Sequence, residues 1–429
     1  MRLATEMGRR RTTPIRTSSL SKSTTPNPSP TVVPKQKEKV IVISGPTGAG
    51  KSRLALDLAK RLDGEIISAD SVQVYRGLDV GAAKPSLSDQ REVPHHLINI
   101  LNPSEDYSAG QFFEDARNAT DEVLSKGKVP LVVGGTGLYL RWFIYGKPEA
   151  PAASVNVTSE VSSELTHFQE KGQWDEAVEV VVSAGDPNAR ELPLNNWYRL
   201  RRRLEIIRSS GSPPSAFAVP YDSFKEQTNS EQGQSVAKDL DYDFIFFFLT
   251  CTRVDLYRAI DLRCEKMLME AEGGLLSEAS WLLDIGLRPD MNSATRAIGY
   301  RQAMEYLLEC RNDAGRITAD CFLGFLHEFQ KTSRNFARRQ LTWFRNESLY
   351  QWIDSSMPLE NLVDFVYSAY KEQTEKLLVP NHLQMKKTND KLENYELKTY
   401  RTQNQIFRNE SDCRHVLDWV ERTQRRSAV

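Results

Sequence analysis

The most specific chemistry in this chain sits in eight consecutive residues, Gly45, Pro46, Thr47, Gly48, Ala49, Gly50, Lys51 and Ser52, which satisfy the spacing G-x-x-x-x-G-K-S. Glycines so placed let backbone N–H groups converge on phosphate oxygens at the positive end of the following helix. Lys51 adds a point charge, and the Ser52 hydroxyl is a ligand for Mg²⁺. The expectation is a cradle for a di- or triphosphate, with nothing in it to say which. P-loop ATPases and GTPases also carry an acid at the end of a later strand, where it helps to hold the metal. Here the run Val129–Val133 ends in Gly134, Gly135 and Thr136, with no carboxylate. ATP hydrolysis is therefore not expected. The acid that remains nearby is Asp70, at the carboxyl end of a neighbouring strand, where ligands of such sheets gather. It is placed either to accept a proton as a general base or simply to cap the turn that starts at Ser71.

These residues need a parallel sheet to position them. Val40–Ser44 is a short β-branched run that reads as a buried parallel strand. Leu54, Leu58 and Leu62, with Ala55 and Ala59, give the next segment one apolar face at a spacing of four. Further strands are expected at Glu65–Ala69, Val129–Val133 and Tyr242–Leu249. The alternation predicts an α/β fold, a P-loop parallel sheet core with an inserted helical domain. The first part of the core spans 38–148, a mainly helical insertion 149–240, and the second part of the core 241–346. The remainder, 347–429, is polar and charged and reads as a C-terminal extension with a last helix near Val416–Arg426. Residues 1–37 hold Arg2, Arg9, Arg10, Arg11, Arg16 and Lys22 against a single acid, Glu6. Such a leader is either an organelle transit peptide, for plastid or mitochondrion, or a disordered basic tail of a cytoplasmic protein.

Composition narrows the partners. The 429 residues carry 56 Lys and Arg against 57 Asp and Glu, which excludes a generic polycation but not a local basic groove. The longest strongly apolar run, Phe244 to Leu249, falls far short of the roughly 20 residues that span a bilayer, so no membrane segment is expected. Five cysteines without a C-x-x-C pair, and without Cys/His finger spacing, predict neither a disulfide framework nor a structural zinc site. Two basic clusters stand out: Arg199, Arg201, Arg202, Arg203 and Arg208, and then Lys331, Arg334, Arg338, Arg339 and Arg345 with Phe336, Trp343 and Phe344 interleaved. Alone, such runs read as solvated helix faces and core aromatics.

Seven motifs in register change that balance. The P-loop, Ile66-Ile-Ser-Ala-Asp-Ser-Val-Gln73, Val74 to Pro85, Pro94-His-His-Leu97, Gly134-Gly-Thr-Gly-Leu-Tyr139, Arg296-Ala-Ile-Gly-Tyr-Arg-Gln302 and Ala337-Arg-Arg-Gln-Leu-Thr-Trp-Phe344 resemble the tRNA dimethylallyltransferase family from about residue 38 to 346. The resemblance implies transfer of a dimethylallyl group from dimethylallyl diphosphate to N6 of the adenosine 3′ of the anticodon, with Mg²⁺ at Ser52. It implies that Asp70 is the base and that Thr47, Lys51 and Arg253 serve the diphosphate. It further implies that the tRNA anticodon stem-loop meets Asp70, Ser71, Val72, Gln73, Thr136, Arg199, Arg202, Arg296, Gly299, Tyr300, Arg301, Arg338, Arg339, Gln340 and Trp343. Ala82, Asn99 and Asn196 depart from the family pattern, and the C-terminal zinc finger of some eukaryotic members has no counterpart. An isopentenyltransferase acting on free adenine nucleotide, a P-loop small-molecule kinase and a tRNA-binding protein with a decayed site are the alternatives. A monomer is favoured.

Overall fold

Val40, Ile41, Val42 and Ile43 are buried on both faces, as a strand must be when helices cover both sides of its sheet. They lie in β1 (Lys39–Ser44), near the middle of a parallel sheet. The computed structural model describes residues 37–222, 240–270, 273–372, 378–385 and 390–425. The leader, apart from Lys37, and the Ser/Gln/Gly-rich stretch from Ser223 to Lys238 lie outside the described residues. The sheet's other strands are β2 (Gly64–Ala69), β3 (His95–His96), β4 (Val129–Gly134), β5 (Asp243–Thr250) and β6 (Gln351–Asp354). Their order is β3-β2-β4-β1-β5-β6, with every pairing parallel. The register sets Ser44 of β1 opposite Gly134 of β4 and Phe248 of β5. The carboxyl ends of β1, β2, β4 and β5 therefore finish at one edge, and the P-loop, Asp70 and Thr136 all follow directly from those ends.

The helix after the P-loop, α1 (Lys51–Leu62), buries Leu54, Ala55, Leu58 and Ala59 against the sheet. Each leucine so buried contributes about 1.5–3 kcal/mol. Two more helices, α2 (Leu87–Glu92) and α3 (Ala109–Ser125), are each opened by a serine capping box; α3 packs on β2 and β4, whereas α2 buries no residue. α4 (Gly137–Tyr145) then leads away from β4.

α5 (Val155–Glu170), α6 (Trp174–Ser183) and α7 (Trp197–Ser210) surround an apolar centre of their own. Trp174 and Trp197 meet edge to face there, with ring centroids 4.9 Å apart. After β5 come α8 (Arg253–Met269), α9 (Gly274–Asp284), α10 (Tyr300–Asn312) and the long α11 (Ala319–Phe344).

The boundary expected at residue 346 does not separate the core from an extension. Gln351–Asp354 forms the sheet's edge strand, where the Trp352 ring lies tilted against Phe248 with centroids 4.2 Å apart. α12 (Leu359–Lys371) follows and packs on α1. Four residues with polar ends show no readable period, and only the open edge of β5 selects them as strand. α13 (Asp390–Thr399) and α14 (Arg414–Gln424) complete the described chain.

Candidate active site

The P-loop turns under a steric demand at its first glycine. A Cβ at Gly45 would stand 2.3 Å from the Leu249 carbonyl oxygen, so the loop can pass that close to β5 only without a side chain. Gly50, with φ of 84°, then starts α1 and leaves its first N–H groups unpaired. Lys51 folds back to donate from Nζ to the Pro46 carbonyl at 2.9 Å. Burial and the repulsion of Arg263 push its pKa down to about 8, and the attraction of Asp70 only partly offsets them. Ser52 is exposed at the same wall.

Two adjoining cavities open at this edge of the sheet. The smaller, of about 120 Å³, is lined by Lys51, Ser52, Ser68 and His95. The larger, of about 480 Å³, is lined by Ile260, Met267, Phe329 and Phe336 on one side and by Thr136, Arg296 and Arg339 on another. Thr47, Asp70, Arg263 and Gln340 belong to both walls. A polar, cationic chamber thus runs into a largely apolar one, and Asp70 stands where they join.

Asp70 caps its turn, as one of the two sequence readings expects. Oδ1 accepts the Val72 N–H at 2.8 Å and the Gln73 N–H at 3.4 Å, which ties the turn. Oδ2 makes no bond within the described chain and is left for whatever enters the cavity. Ser71 and Val72 line the larger cavity. Gln73 is occupied internally: it accepts from Ser68 Oγ at 2.8 Å and donates to the Ala82 and Ala83 carbonyls, both at 3.3 Å.

The arginine that reaches the P-loop is not the one expected. Arg253, at the start of α8, donates to Tyr257 Oη at 3.2 Å and lines neither cavity. Arg263, almost three turns further along, donates to Thr47 Oγ1 at 2.9 Å. Burial holds its pKa below the usual arginine value. The helix enters beside the P-loop and must run along the cavity before a side chain can turn toward Thr47, so its first residue points elsewhere. The sequence did hold a signal. Ile260, Arg263, Cys264 and Met267 follow i, i+3, i+4, i+7, and an arginine inside such an apolar stripe marks a site.

Several residues expected at the tRNA also brace the protein internally. Gln340 accepts the Thr47 N–H at 2.9 Å and donates to the Gly135 carbonyl at 3.0 Å, clamping the P-loop to the end of β4. Tyr300 is fully buried and donates to Glu278 Oε2 at 2.7 Å. Glu278 in turn accepts the N–H groups of Asp79, Val80 and Gly81, which fixes the loop that brings Gly81 and Ala82 to the cavity. Gly299 is buried against Phe329 and starts α10 with φ of 94°. Trp343 lies under the Arg141 guanidinium at 4.0 Å, and Arg141 is paired with the buried Glu347. Arg301 pairs with Asp290 and Glu305, outside the cavity.

The basic clusters divide in the same way. On α7, Arg203 pairs with buried Asp186, Arg208 with Glu164, and Arg202 with Glu205 and the Pro151 carbonyl. Arg201 donates to Gln169, leaving Arg199 exposed without an acid partner among the described residues. On α11, Lys331 pairs with Glu328 and Arg334 with buried Asp261. Arg338 and Arg339 are exposed, without an acid among the described residues. Such sorting is invisible in sequence, because the acids that neutralise these arginines mostly lie on other elements.

A parallel P-loop sheet with Asp70 at the end of β2 facing both cavities, and with no acid at the end of β4, is the frame in which the comparisons with known proteins are made. A family model described as IPP transferase matches residues 73–347, and one described as isopentenyl transferase matches residues 38–96. tRNA dimethylallyltransferase 9 of Arabidopsis thaliana is 57% identical over 400 residues, which cover 90% of this chain and 86% of that one. A tRNA dimethylallyltransferase of Protochlamydia amoebophila is 37% identical, with 79% of this chain and 90% of that one covered. Among solved structures, the tRNA isopentenylpyrophosphate transferase of Bacillus halodurans aligns with a TM-score of 0.53 at 31% identity, over 78% of this chain and 96% of that one. A eukaryotic dimethylallyltransferase acting on tRNA shares the fold, with a TM-score of 0.60 at 23% identity and coverage of 87% and 90%. The chain belongs to the tRNA dimethylallyltransferase (IPP transferase) family.

Proposed function

We propose that this enzyme transfers the dimethylallyl group of dimethylallyl diphosphate to N6 of the adenosine 3′ of the anticodon in tRNA. The observation that carries the reading is the pair of joined cavities, cationic at one end and apolar at the other, with Asp70 at the junction. Lys51 and Arg263 face the smaller chamber without an ion pair to any described carboxylate, so an anion is needed to balance them. The diphosphate fits there, held also by the P-loop N–H groups and by Thr47. The branched C5 chain then lies along Ile260, Met267 and Phe336. As N6 bonds to C1, the C1–O bond breaks and its electron pair leaves with the diphosphate, whose growing charge Lys51 and Arg263 stabilise. The free Oδ2 of Asp70 takes the N6 proton. That transfer makes a delocalised, weakly nucleophilic amine competent.

Ser52 is the residue that would hold Mg²⁺. Among the described residues no three His, Cys, Asp or Glu side chains are grouped to bind a metal. That suits an ion that keeps its waters and takes its other ligands from the diphosphate. Bound there, it would add positive charge against the leaving group. No described helix is long and apolar enough to cross a membrane. An organelle destination rests on the leader, outside the described residues.

The pH dependence follows from Lys51. Its charged form is the one that binds diphosphate, and with a pKa of about 8 that form declines as pH rises through 8. kcat/KM for dimethylallyl diphosphate reports the free enzyme and should fall above about pH 8. The Lys51→Arg variant stays charged and should move the downturn upward. A profile level to pH ~10 in the unmodified enzyme would contradict the role.

tRNA would approach across Arg199, Arg296, Arg338 and Arg339, which are exposed, and the half-buried Thr136 at the cavity wall. Converting Arg338 and Arg339 together to Gln should weaken tRNA binding and flatten its salt dependence. The log–log slope should drop by about 0.7–0.9 for each phosphate that the protein no longer neutralises. Dimethylallyl diphosphate affinity should not change. An unchanged tRNA affinity and salt slope, with an unchanged melting curve, would return the segment to a solvated helix face and favour a free nucleotide as acceptor.

A further inference from the structure

We propose that the segment Tyr400–Phe407 is a strap that positions α8, and with it Arg263, at the diphosphate end of the cavity. The proposal rests on the reading of that end given above. One face of α8 (Ile260, Arg263, Cys264, Met267) lines the cavity. Asp261 and Glu265, one turn apart on another face, are 2% and 0% exposed, so both carboxylates lie out of water. The C-terminal strap supplies most of their partners. Glu265 accepts the backbone N–H groups of Gln405, Ile406 and Phe407 at 3.0, 2.7 and 2.9 Å. Asp261 accepts from Tyr400 Oη at 2.7 Å and pairs with Arg334, which also donates to Thr402 Oγ1 at 2.9 Å. Gln330 of α11 donates to Asn404 Oδ1 at 3.0 Å, so both cavity-lining helices are held by the same eight residues.

A buried carboxylate needs its donors, and that need fixes where α8 sits. Glu265 lies two residues from Arg263, so a displacement at the strap is passed to the guanidinium with little room to relax. A misplacement of about 1 Å at a reacting centre can cost on the order of 10²-fold. The IPP transferase match ends at residue 347, well before the strap begins.

The test uses full-length Tyr400→Phe, which removes one hydroxyl, and Gln405→Pro, which removes one N–H from Glu265. KM for each substrate, kcat and the melting temperature are measured, alone and in an Arg263→Gln background. Each strap variant should raise KM for dimethylallyl diphosphate roughly three- to tenfold, the scale of one ordinary hydrogen bond, and leave KM for tRNA unchanged. Combined with Arg263→Gln, the strap variants should add almost nothing, because both changes act through one guanidinium. A loss of folded, active enzyme with both KM values unchanged would show mere structural support and overturn the proposal, as would full additivity with Arg263→Gln. If Arg263→Gln raised KM and neither strap variant did, the strap alone would fall. If Arg263→Gln itself left both kcat and KM for dimethylallyl diphosphate unchanged, the reading of the diphosphate end would fall and take the strap's role with it.

Discussion

Replacing Asp70 by Asn is expected to lower prenyl transfer about 10²–10⁴-fold, the usual effect of removing a positioned general base. Asn keeps the shape and still offers a carbonyl oxygen to the Val72 N–H, so the turn at 70–73 survives. What disappears is the acceptor for the N6 proton. Dimethylallyl diphosphate affinity should stay within about a factor of two, because the anion is held by Lys51, Arg263 and the P-loop. Single-turnover transfer to tRNA, set beside equilibrium binding of the diphosphate, separates the two effects. Near-normal turnover in the Asn variant would remove Asp70 from the chemistry and leave it as a turn residue.

The second large effect separates two arginines ten positions apart on one helix. Arg263→Gln removes a cation from the leaving group and a donor from Thr47, and should lower kcat/KM about 10²–10³-fold, as loss of one transition-state donor does. Arg253→Gln disturbs the half-buried contacts with Tyr257, away from both cavities, and should stay within about threefold. Steady-state kinetics with dimethylallyl diphosphate as the varied substrate, at saturating tRNA, reads both. The reverse ranking would mean that the diphosphate lies nearer the start of α8 than the cavities suggest.

The binding chemistry is legible in the sequence because it is local. The P-loop needs glycine at fixed offsets, a lysine and a hydroxyl, and all of these lie within eight residues between a strand and a helix. Asp70 is legible for the same reason, as the residue that ends its strand. The buried strands of the sheet show as β-branched and aromatic runs, since both of their faces must be apolar.

What the tertiary structure decided is which charges are spent inside the protein and which remain for a ligand. Arg203, Arg334 and Arg208 look in sequence like Arg199, Arg338 and Arg339, but the first three meet Asp186, Asp261 and Glu164. Whether an arginine is neutralised depends on a partner 17 to 73 residues away, and no local pattern encodes that meeting. Gln340, Tyr300 and Trp343 are drawn inward in the same way, each held by a distant element. The choice of Arg263 over Arg253, the strand at Gln351–Asp354 and the hold of Tyr400–Phe407 on α8 all depend on how the helices and strands pack together. The sequence by itself determined the P-loop, the acid that ends β2 and the sheet around them, because their physics is short-range. Packing decided the rest, because a buried charge takes its role from whatever folds against it.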